Sequence, residues 1–135
     1  MSIQIEKQRS IQKYKQHRFF EKKCKTLLHN IPELRYVGLL DPMGNQVAGG
    51  FRRGIKPLKN LEDRKIMNIE AVLRVKTRQD FDENLGPVQY AASRRSTIVM
   101  MSFIIGDYVL LLSANKDVEI DDTARKIMDS WGISK

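Results

Sequence analysis

Apolar positions along the chain follow several distinct rhythms, and each predicts an element. From His17 onward, Phe20, Cys24, Leu27, Leu28 and Ile31 recur at intervals of three and four, one face of a helix that Pro32 limits at its C-terminal end. Residues 33–41 then read as a strand, with Leu34, Tyr36 and Leu40 on one face and Val37 and Leu39 on the other. A strand apolar on both faces must be covered on both sides. Asp41-Pro42-Met43-Gly44-Asn45 is dense turn chemistry, residues 46–52 read as the returning strand, and Gly54 and Pro57 end the unit.

A second helix is expected from Asn60, a capping residue followed by Glu62 and Asp63, and runs toward residue 79. Ile66, Ile69 and Leu73 form its stripe, with Met67, Ala71, Val72 and Val75 beside it. Gly86-Pro87 stops that region. Residues 88–93 alternate as a strand, 97–105 are apolar on both faces, and Gly106-Asp107 is a hairpin turn from which 108–113 return. Asp117 is expected to cap a last helix, with Ile120, Ala124, Ile127, Met128 and Trp131 buried and Gly132 at the C-cap. The order α-β-β-α-β-β-β-α implies an α/β fold, a three-layer α/β/α sandwich around a five-stranded antiparallel sheet.

Charge changes this picture at one end only. Within residues 1–25, Lys7, Arg9, Lys13, Lys15, Arg18, Lys22, Lys23 and Lys25 face Glu6 and Glu21, so this segment holds six of the eight net positive charges. Residues 1–17 are polar and weakly periodic, and are expected to be a basic extension, mobile or loosely helical, ahead of a domain spanning 18–135. A single cysteine excludes an internal disulfide and fits a reducing compartment, so cytoplasmic residence is expected. The longest apolar run is broken by Gly106-Asp107, which argues against a membrane helix.

Candidate chemistry is sparse. Gly44 and Gly49 have the spacing that opens a phosphate-binding loop, but no Lys-Ser/Thr pair follows and the segment continues as a strand. Gly44 suits a turn, and Gly49-Gly50 suit a close approach of another group to the strand. His17, His29 and Cys24 have no metal-ligand spacing, Cys24 falls in an apolar stripe, and Asp80, Asp82 and Glu83 lack a calcium-loop glycine. No serine-histidine-aspartate set can be assembled. No enzyme activity, cofactor or metal is expected. A small-ligand sensor stays open as a third reading, with bulky strand residues leaving little room between sheet and helix. The basic segment, with Tyr14, Phe19 and Phe20, keeps phosphate-backbone binding open as an alternative. Arg52-Arg53 and Arg94-Arg95, with Lys56 and Lys59, are either a patch for an acidic partner or snorkelling surface cations, which look the same in sequence.

The element order and the stretches VGLLDPMGNQVAGGF, NLEDRKIMNIEAVLRVKTR and YAASRRSTIVMMSFIIGDYVLLLSANKDVEI resemble the roadblock / dynein light chain family, most of all an archaeal group with that fold. The resemblance spans about residues 18–131. It implies a homodimer in which Ile66, Ile69 and Leu73 meet a symmetry mate and residues 88–93, with Val88, Tyr90 and Ala92, pair across the two-fold. It also implies a non-catalytic platform that binds protein partners, small GTPases among them. Lys7, Arg9, Lys13, Lys15, Arg18, Arg52 and Arg53 are the candidate contacts to a partner or to phosphate.

Overall fold

In the computed structural model residues 2–133 are described. The outer ends of the two expected segments, residue 1 and residues 134–135, lie outside them. The elements are α1 (Ser2–Asn30), β1 (Leu34–Leu40), β2 (Gln46–Phe51), α2 (Leu61–Gln79), a single turn α3 (Asp82–Leu85), β3 (Ala91–Arg94), β4 (Ile98–Ile105), β5 (Tyr108–Asn115) and α4 (Ile120–Trp131). Apart from α3 the order is the expected one. All neighbours in the sheet are antiparallel, in the order β2-β1-β5-β4-β3. The two hairpin units therefore join through β1 and β5, the first and last strands of the chain's two β-runs.

The faces are unequally covered. Helices α1 and α4 bury the larger core, in which Cys24, Leu27, Ala124 and Ile127 pack on Val37, Leu39, Met101, Phe103 and Leu112. Helix α2 covers the opposite face through Val72 and Val75, which meet Leu40, Val109 and Leu111. This is the three-layer sandwich that two-faced strands require.

Local chemistry accounts for most boundaries. Asn60 caps α2, its side chain accepting from the Asp63 amide at 2.8 Å. Gly132 ends α4 in the left-handed conformation. Asp41 organises the first hairpin by accepting from the amides of Met43 and Asn45, each at 2.9 Å. Desolvation raises its pKa, but the hydrogen bonds from Asn45, Met43 and Gly44 outweigh it and hold the carboxyl below its ordinary value.

Of the two forms expected for the basic extension, mobile or loosely helical, residues 2–17 take the helical one, continuous with the rest of α1 in a run without glycine or proline. Three expectations change. Leu34 lies in the α1/α4 core beside Val37 and Leu39, because a register shift between Leu34 and Tyr36 turns it to the other face. Asp117 does not cap α4; Glu119 occupies the cap position without a side-chain bond. The strand expected over 88–93 forms only from Ala91, while Tyr90 bonds to Asp121 of α4 and packs on Phe103 before the ladder begins.

Candidate functional site

Two features stand out on the α2 side. The first is the helix itself. Over Leu61–Gln79 only Val72 and Val75 are buried, and Ile66, Ile69 and Leu73 are 63%, 47% and 57% exposed. Leu61, Met67 and the neighbouring Met43 and Leu58 are exposed too. Three and four residues separate the stripe's members, so they share one face, turned about a third of a revolution from the pair that touches the sheet. Scattered exposed apolar residues are ordinary; these three instead form a contiguous stripe on one helix.

The same side carries a free sheet edge. Among the described residues β3 pairs only with β4 and ends the sheet, so no further strand lies on its outer edge. Of the residues expected near it, Ala92 is on the strand and exposed, while Val88 and Tyr90 precede it half-buried. The structure thus brings Ile66, Ile69 and Leu73 together on one helix and places Ala92 on the edge strand.

The second feature is a cleft of about 560 Å³ beneath the first turns of α2. It exists because α2 makes its buried contacts through its later turns, and its N-terminal half stands off the sheet. Tyr36, Phe51, Met100 and Leu111 line the sheet side, and Leu58 and Leu61 line the helix side. Tyr36 lies along its own strand across Gly38, where an added Cβ would come within 1.9 Å of its hydroxyl, and donates a hydrogen bond to Gln46 Oε1 at 2.6 Å. Burial pushes the Tyr36 hydroxyl up to about 12, against the opposing field of Arg64. The strand residues are as bulky as the sequence suggests; the room comes from the helix standing away.

The basic candidates divide. Lys7, Arg9, Lys13, Lys15 and Arg18 are exposed along α1, Arg18 lying 5.9 Å from the Tyr14 ring centre. Arg52 is instead turned inward, donating to the carbonyls of Leu28, Ile31 and Leu34 at 2.5, 3.0 and 2.8 Å, where α1 ends and β1 begins. Its fork satisfies carbonyls that a helix end leaves open. Arg53 beside it is exposed. Arg94 does similar work, donating to the carbonyls of Lys116 and Val118. The arginine pairs are therefore split, one member stapling backbone and the other facing solvent. Sequence alone missed this, since a paired arginine at a strand end looks alike in either role.

Cys24 is buried, and desolvation, with the nearby Glu21 charge adding, pushes its thiol up to about 12, far from the range of a reactive thiolate. Gly49 has φ +94°, and a Cβ there would stand 2.0 Å from the Val37 carbonyl oxygen; its amide donates to Glu21 on α1 at 3.0 Å. Among the described residues no three His, Cys, Asp or Glu side chains gather as metal ligands, and no helix is long and apolar enough to cross a membrane.

The sheet order with one helix on one face and two on the other is the architecture of roadblock/LC7 domains. The chain superposes on MglB from Myxococcus xanthus with a TM-score of 0.66 at 13% identity, covering 84% of this chain and 89% of that one. The roadblock/LC7 domain from Streptomyces avermitilis gives a TM-score of 0.64 at 11% identity, over 83% and 91% of the two chains. Acanthamoeba castellanii profilin II is similar at a TM-score of 0.53 and 12% identity, over 84% and 96%. At such identities the likeness is one of fold. By sequence, the chain belongs to a family of unknown function (DUF6659), whose model matches residues 13–134. Among curated proteins none matches it.

Proposed function

We propose that this chain is a non-catalytic, homodimeric protein-binding module, with residues 1–17 as a basic arm and 18–135 as the module proper. The observation that carries the reading is the exposed stripe of Ile66, Ile69 and Leu73 on a helix whose other face is already packed on the sheet. A second copy covers that stripe most economically, because a two-fold sets each apolar residue against an apolar one. The unpaired β3 edge, with Ala92 on it and Val88 and Tyr90 leading into it, lies beyond the same helix and would extend the contact. The roadblock resemblance adds a second protein partner, a small GTPase, and the solitary buried cysteine is in keeping with the cytoplasm. Arg53 and the exposed cations of α1 are the contacts available to an acidic partner surface.

Light scattering at micromolar concentration tests the assembly. The wild type is expected at twice the chain mass, and Ile69→Asp combined with Leu73→Asp at the chain mass with its circular dichroism unchanged. A monomeric wild type overturns the reading, and a double variant that stays dimeric moves the interface elsewhere.

One observation favours a second reading. The cations of α1 stand on a continuous exposed helix, as a phosphate-backbone ligand requires. If the arm binds nucleic acid, affinity for duplex or single-stranded DNA falls steeply with salt and disappears when residues 1–17 are removed. Binding that ignores either change sinks this alternative.

A further inference from the structure

The cleft beneath α2 carries charge of one sign only. Arg35, Lys59, Arg64 and Lys65 line it, and no carboxylate does. Arg64 is the best placed of them. Its guanidinium sits 5.3 Å from the centre of the Phe51 ring, which is itself part of the lining. Its Nε is closed off by the protein, but its terminal nitrogens are not, and its side chain makes no hydrogen bond or ion pair among the described residues. A guanidinium at the wall of a cleft pairs best with an anionic acceptor, through charge-assisted hydrogen bonds.

The remaining surface narrows the chemistry of that acceptor. Tyr36, Phe51, Met100 and Leu111 offer an apolar and aromatic floor, and the volume of about 560 Å³ is that of a small-molecule site. A bare inorganic anion would leave the floor unused. A neutral apolar molecule would leave Arg64 unpaired, and a cation would meet four like charges. We propose that the cleft binds a small amphipathic carboxylate, its apolar body on Tyr36, Phe51, Met100 and Leu111 and its carboxylate on Arg64, with Lys59 and Lys65 at the rim. This goes beyond the assembly reading: the cleft adjoins the stripe at Ile69, but neither Ile66 nor Leu73 lines it, so a ligand there is a separate assignment.

Decanoate is a suitable probe, titrated calorimetrically into the full chain, with decanol and decyltrimethylammonium as neutral and cationic molecules of the same chain length. Saturable decanoate binding is expected, with decanol weaker by about tenfold or more and no binding of the ammonium, as loss of a charge-assisted contact implies. Arg64→Gln should weaken decanoate by about tenfold and leave decanol nearly unchanged. Because Arg64 also packs on Phe51, Lys65→Glu provides a second variant. It reverses an exposed rim charge without touching packing, and should weaken decanoate alone. Leu73 does not line the cleft, so Leu73→Asp should bind decanoate whatever its assembly state. Equal affinity for the three probes, uptake without saturation, or loss of binding in Leu73→Asp would each overturn the proposal.

Discussion

At the residue scale, small differences in backbone environment separate neighbours that look equivalent in the sequence. Gly49 and Gly50 are adjacent on β2, yet only Gly49 has a positive φ and a carbonyl 2.0 Å from where its Cβ would be. Gly50 has open space there. Gly49→Ala is therefore expected to cost about 3 kcal/mol in urea unfolding, combining left-handed strain with displacement of Val37. Gly50→Ala should stay within about 0.5 kcal/mol. Equal effects would show that the strand pairing, not the site, sets the cost. The arginine pairs teach the same lesson. Arg52 and Arg94 are committed to carbonyls, and which member turns inward depends on where α1 ends and where the β5–α4 connection passes.

At the element scale, α1 and α2 both extend beyond what the chain's own core requires. Helix α1 has 29 residues, but its buried members are Cys24 and Leu27, and everything from Ser2 through Phe19 is exposed. Among the described residues, the first hydrogen bond from it to another element joins His17 Nδ1 to the Val47 carbonyl at 3.1 Å. Removing residues 1–13 should therefore change unfolding free energy by no more than about 0.5 kcal/mol. A larger loss would mean that the exposed turns are buried against another chain. An isolated helix of that length is marginal in water, so these turns are propagated from the anchored half. In α2 the legible signal was a surplus of apolar residues, more than one face can bury. That surplus is left exposed in the structure, but it gave no hint that the helix's first turns would stand off the sheet.

At the scale of the whole molecule, the two faces of the sheet are built to different standards. The α1/α4 face is closed by a continuous core, whereas the α2 face combines a smaller buried cluster, an exposed stripe and an open cleft. Under the proposed assembly the α2 face would make the contacts, and the β3 edge, whose four residues are too few to be a strong template alone, would extend them.

The sequence by itself determined the main helices and strands, their order and the need for helices on both sides, because periodicity and turn chemistry are local and each strand's two apolar faces demand cover. It also marked Asn60 and Gly132 as caps and excluded a phosphate loop at Gly44 and Gly49, again from neighbours within a few residues. Only the tertiary structure decided what depends on chain-distant pairing. The union of β1 with β5, the shift that sends Leu34 to the α1 side, the inward turn of Arg52 and the retreat of Tyr90 toward Asp121 all belong to that class. The cleft is the clearest case. Its floor and roof are assembled from β1, β2, β4, β5 and α2, so its room and its uncompensated Arg64 arise from how those elements stand apart.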